Sequence, residues 1–84
     1  MPYIKEKDRP KFNRLLNESG EIKTVGELNY VITKLCLDFL RRQGCNYSIL
    51  NGIVGVLTCV QMEFYRRKIS IYEDKKIQEN GDVF

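Results

Sequence analysis

Over residues 48–80 nothing interrupts a helical pattern, and in an 84-residue chain this run constrains the fold more than any other feature. Ile49, Ile53, Val56, Val60, Phe64 and Ile71 form one apolar stripe, with Leu50, Val54, Leu57, Tyr65 and Tyr72 beside it. At 1.5 Å per residue the segment predicts a rod of about 45–50 Å, against about 30 Å across a small domain. The other strong helical pattern, 24–43, is too short to cover such a rod, so a second copy of the chain is expected to supply the missing partner. Residues 49–60 are apolar around most of the helix circumference, which calls for contacts on more than one side. Gly52 and Gly55 each cost about 1 kcal/mol of helix propensity. Close approach of a neighbouring helix would offset that cost; otherwise they mark a tolerated kink.

The central helix is bounded by clear signals. Thr24-Val25-Gly26-Glu27 is a capping-box sequence. Leu28, Val31, Ile32, Leu35, Cys36, Phe39 and Leu40 recur at three- and four-residue spacing, and Arg41-Arg42-Gln43-Gly44 supplies cations and a terminating glycine. Upstream, Pro10 suits the first turn of a short helix over 8–18 carrying Phe12, Leu15 and Leu16, preceded by an extended arm at 1–7. Asn46 or Ser48 can cap the rod. The expected architecture is all-α and a single domain: a helical hairpin with a short N-terminal helix and a long C-terminal helix, assembled as a dimer or tetramer into a helical bundle.

Composition narrows the function. The chain has no His, which removes the commonest general base and zinc ligand, and with it catalytic triads and metal-hydrolase motifs. There is no P-loop, GxGxxG or EF-hand pattern. We expect no enzyme, no catalytic residue, no metal site and no cofactor; the carboxylates of Glu73 and Asp74 are a weak motif for a hydrated divalent ion. A net charge of +3 is mild for a nucleic-acid binder, so nucleic acid is not the expected partner. No continuous apolar run reaches the length of a membrane span, and the first residues lack a signal-peptide hydrophobic region, so a cytoplasmic protein without membrane contact is expected. Cys36, Cys45 and Cys59 are odd in number and show no CxxC spacing, which reads as free thiols: Cys36 and Cys59 in apolar helical patterns, Cys45 in a turn.

The candidate ligand-binding residues are Arg66, Arg67, Tyr65, Tyr30, Asn29, Tyr3 and Lys5. Arginine offers a planar fork to phosphate oxygens, and lysine a point charge. Tyrosine offers a flat face to a base, and the Asn29 amide can read a base edge. The plainer alternative for 63–68 is a solvated charged face in which Glu63 pairs with Arg67.

Pro-Tyr-Ile-Lys at 2–5, Gly-Glu-Leu-Asn-Tyr-Val-Ile-Thr at 26–33, Glu-Phe-Tyr-Arg-Arg at 63–67 and Tyr-Glu-Asp-Lys-Lys-Ile-Gln-Glu-Asn-Gly-Asp-Val at 72–83 occur together. On these strings the chain resembles, over nearly its whole length, a family of small helical proteins of unknown function found in phages and in bacterial and archaeal genomes. That resemblance implies kinship and no assigned reaction. By analogy of type with small oligomeric phage proteins, the expected role is an anti-defence sponge that sequesters a cyclic nucleotide signal in pockets between subunits. A protein-interaction or inhibitor module docking on a host protein is the alternative, and nucleic-acid binding through Arg41-Arg42 and Arg66-Arg67 a weaker one.

Overall fold

A computed structural model describes residues 4–84. The chain is all-α, without strands among the described residues. The contacts fall within two units, Met1–Cys45 and Asn46–Phe84, each held together locally.

In the first unit the short N-terminal helix is less regular than its sequence pattern. Two 3-10 turns, Glu6–Asp8 and Pro10–Phe12, lead into α1, Asn13–Glu18, and a third, Ser19–Glu21, comes after it. The arm expected at 1–7 is therefore extended only up to Lys5 among the described residues, because the amide of Asp8 already donates to the carbonyl of Lys5 at 2.9 Å. Helix α2, Val25–Gln43, starts as the capping box requires. The amide of Glu27 donates to Thr24 Oγ1 at 3.0 Å, and Glu27 Oε1 accepts from the Thr24 amide at 3.0 Å and from the Lys23 amide at 2.8 Å. It stops at Gly44, whose φ of 96° is open to a residue without a Cβ and strained for any other.

The second unit is the rod. Asn46 Oδ1 accepts from the Ile49 amide at 3.0 Å and opens α3, Tyr47–Phe64. A π-helical turn, Tyr65–Ile69, carries the chain without a break into α4, Ser70–Asn80, which ends at Gly81 with φ 87°. The uninterrupted pattern of the sequence is real, but it is not uniformly α.

None of the described residues is buried. Val31, Cys36, Ile49, Ile53 and Cys59 are half-buried, and Val54, Val56, Val60, Met62 and Phe64 are exposed along α3. Cys36 and Cys59 thus sit at the edge of apolar contacts rather than inside a core, and Cys45 is exposed. Beta carbons built on Gly52 and Gly55 would meet nothing within 4 Å, so both glycines face open space. The rod Tyr47–Asn80 also contains an 18-residue window of mean hydropathy 1.2, long and apolar enough to cross a membrane by length and composition. A count of consecutive apolar residues misses this window because Asn51, Thr58 and Gln61 interrupt the run.

Candidate functional site

The π turn organises the polar end of the rod. Its defining bond runs from the Ser70 amide to the Tyr65 carbonyl, five residues back, and the Ser70 hydroxyl donates to the Arg66 carbonyl at 2.6 Å. A wide turn loosens the regular ladder, and a serine at its exit gives one displaced carbonyl a donor. The turn also brings Tyr65 and Glu73 together, with Tyr65 Oη donating to Glu73 Oε2 at 2.7 Å. In an uninterrupted α-helix eight residues advance about 800°, leaving the two side chains roughly 80° apart around the axis. One residue absorbed by the π turn brings them back to about the same face. The Glu73 hydrogen bond, and then its charge, raises the Tyr65 phenol above its ordinary value, because the neutral phenol is the donor and a phenolate would face a carboxylate.

One turn earlier, Glu63 holds both arginines. Arg66 Nη2 lies 3.0 Å from Glu63 Oε1 and Arg67 Nε lies 2.6 Å from the same oxygen. The spacings i,i+3 and i,i+4 put both cations over one carboxylate, as a helix surface allows. Glu63 is the more enclosed partner, and the guanidiniums extend into solvent. Two cations on one anion leave the cluster net positive, with most guanidinium N–H donors facing outward.

The other expected ligand residues fall elsewhere. Asn29 and Tyr30 line an open groove of about 580 Å³ on α2 with Val25, Gly26 and Thr33. There the Thr33 hydroxyl donates to the Asn29 carbonyl at 2.8 Å, and Lys34 Nζ stands 5.7 Å from the centre of the Tyr30 ring, in cation–π range. Lys5 lines a second open groove of about 430 Å³ with Lys7, Asp8, Lys11 and Phe12. Tyr3 lies outside the described residues. In the second unit Arg66 and Arg67 share Glu63, whereas Tyr65 is held separately by Glu73.

One further grouping is absent from the expected site. Asp38 accepts from Arg41 Nη2 at 2.6 Å and from Arg42 Nε at 2.7 Å. The Arg42 hydrogen bond first, then that of Arg41, holds the Asp38 carboxyl below its ordinary value. Its signal in the sequence is an internal repeat, because 31–42 and 56–67 align without a gap: Val31 with Val56, Thr33 with Thr58, Phe39 with Phe64, Arg41 with Arg66, Arg42 with Arg67, and Asp38 with Glu63. The structure repeats too, since the Thr33 and Thr58 hydroxyls each donate to the carbonyl four residues back, at 2.8 and 3.0 Å. A reading by helical periodicity places each segment on its helix without comparing them.

No curated protein and no solved structure matches this chain. A family model does, over residues 1–83, and the chain therefore belongs to the family described as Domain of unknown function (DUF6899).

Proposed function

We propose that the protein is a non-catalytic, homo-oligomeric binding protein that captures a phosphorylated nucleotide, with Arg66 and Arg67 on the phosphate and Tyr65 against the base. The observation that carries this reading is the rod itself, on which an exposed apolar helix runs directly into a net-positive arginine pair beside a tyrosine. Val54, Val56, Val60, Met62 and Phe64 are 52–66% exposed on that one helix. Apolar exposure spread around the helix in this way calls for partners, and a second copy of the rod offers a matching apolar helix. Asn51, Gln61 and Glu63 recur along α3, and such polar side chains favour a protein partner over lipid, where each would need a hydrogen bond. A cyclic nucleotide is the ligand class we favour, and sequestration by a phage-encoded anti-defence protein is the role that fits a binder without catalytic groups.

Native mass spectrometry of the full chain, with and without a panel of cyclic mono- and dinucleotides, tests the reading. The expected result is a dimer or tetramer that gains the mass of one panel member. A compact monomer at micromolar concentration, partition into lipid vesicles, or no mass gain across the panel overturns it. The exposed faces of α2 and α3 also support a second reading, docking onto a host protein; a stoichiometric protein partner together with an unresponsive panel would favour that instead.

A further inference from the structure

We infer that Arg41 and Arg42, held by Asp38 at the end of α2, form a second oxyanion-binding position of the same build as Arg66 and Arg67, each position taking one phosphate group. The inference rests on the reading that arginine pairs of this chain hold phosphate. Its own support is the duplication, which extends from sequence to the donor nitrogens, although Asp38 takes its two arginines on separate oxygens and Glu63 takes both on Oε1. In both copies one carboxylate takes the arginine at i+3 through Nη2 and the arginine at i+4 through Nε. The acidic side chains are the more enclosed partners, 38% and 22% exposed, while the four arginine side chains are 66–78% exposed. The acid therefore acts as a strut on the helix, and the guanidiniums are its outer face.

That build suits a phosphate. A guanidinium carries five N–H donors, and binding the carboxylate through a single nitrogen, as Arg41, Arg42 and Arg67 do to one oxygen and Arg66 Nη2 does to both, does not use them all. Two guanidiniums already fixed side by side lose less side-chain freedom on binding than two free ones, and their planar forks match tetrahedral oxyanions. Each cluster keeps a net positive charge. The two positions differ in one respect that sets their order. Arg41 and Arg42 occupy the last turn of α2, where unpaired carbonyls place the negative pole of the helix, whereas Arg66 and Arg67 lie inside a rod that continues to Asn80. The pair at 66–67 should therefore bind the more tightly.

The test is a titration of the full chain with inorganic phosphate, against chloride at equal ionic strength, followed on the arginine side-chain N–H resonances and, in wild type and variant alike, on the backbone amide resonances of 38–43 and 63–68. Both pairs should move with phosphate and not with chloride, 66–67 at lower concentration. Arg41→Lys with Arg42→Lys keeps the charge and removes the forks; it should weaken the response at 41–42 several-fold and leave 66–67 and the circular dichroism unchanged. Movement at 66–67 alone overturns the second position and leaves the proposed function standing. No movement at either pair sinks both. An undiminished 41–42 response in the lysine variant shows that charge alone is at work and overturns the built site.

Discussion

Asp38-Phe39-Leu40-Arg41-Arg42 and Glu63-Phe64-Tyr65-Arg66-Arg67 make nearly the same side-chain bonds, yet one ends a helix and the other sits in the middle of a rod. The residues just beyond each pentapeptide decide. After Arg42 come Gln43 and Gly44, and the chain leaves the helix at a positive φ. After Arg67 come Lys68, Ile69 and Ser70, where the serine amide closes a π turn and its hydroxyl serves the Arg66 carbonyl. The comparison teaches that the pentapeptide specifies an ion-pair cluster, whereas continuation of the helix is specified by the two or three positions downstream of it.

The harshest way to break the contrast is to make the rod end where α2 does. Ser70→Pro removes the amide that closes the π turn and the hydroxyl that supports it, at a cost of about 3 kcal/mol. Circular dichroism should lose the helical signal of α4, Ser70–Asn80, and the Tyr65–Glu73 pairing with it. A fully helical variant would show that α4 does not depend on the π turn. The converse change, Gly44→Ala, forces a Cβ onto a φ of 96°. It should destabilise the first unit by about 1–3 kcal/mol, read as a lowered midpoint in urea. An unchanged midpoint would mean that the stop after α2 comes from elsewhere.

A gentler pair of changes sharpens the difference between the surfaces rather than the ends. Gly52→Ala and Gly55→Ala meet open space within the chain. In dilute protein each should strengthen α3 by about 1 kcal/mol. If either also lowers the assembly mass in light scattering, a helix of another copy lies against those glycines, as the sequence expects. Equal mass with a higher midpoint places the interface away from the glycines, as on the Leu50–Leu57 side across the helix.

Much of this architecture is legible in the sequence. The capping box at Thr24 and Glu27, the cap at Asn46 and the stop at Gly44 rest on local chemistry, so their signals survive without tertiary context. The π turn is not legible, because its cause is a register choice among Tyr65, Ser70 and Glu73 that helical periodicity averages away. The early 3-10 turns escape for a related reason. Pro10 is compatible with either helix type, and only the hydrogen bonds around Arg9 and Phe12 distinguish them. Of the candidate site, Arg66 and Arg67 stand out by residue type alone, while the Asp38 cluster needs a comparison of the chain with itself.

The smallest effects separate the two clusters by pH. Asp38 has a folded-state pKa below its ordinary value of 3.8, so its pairing supports α2 at all pH above that value and is lost as pH falls through the lower folded value. Tyr65 has a folded-state pKa above 10.0, so its bond to Glu73 supports the rod below that value and is lost as pH rises through the higher folded one. The end of α2 should therefore respond on the acid side and the π turn on the alkaline side. Carboxyl resonances would report a depressed Asp38 midpoint that Arg42→Ala moves toward 3.8. Phenolate absorbance of the wild type would contain a late component that Tyr65→Phe removes. Glu73→Gln discriminates further, because it keeps a hydrogen-bond acceptor but removes the charge that opposes the phenolate. A partial retreat of the late component in that variant is expected, since the hydrogen bond is the larger cause. If the component persists in Glu73→Ala, which lacks acceptor and charge alike, the staple across the π turn is not what holds the proton.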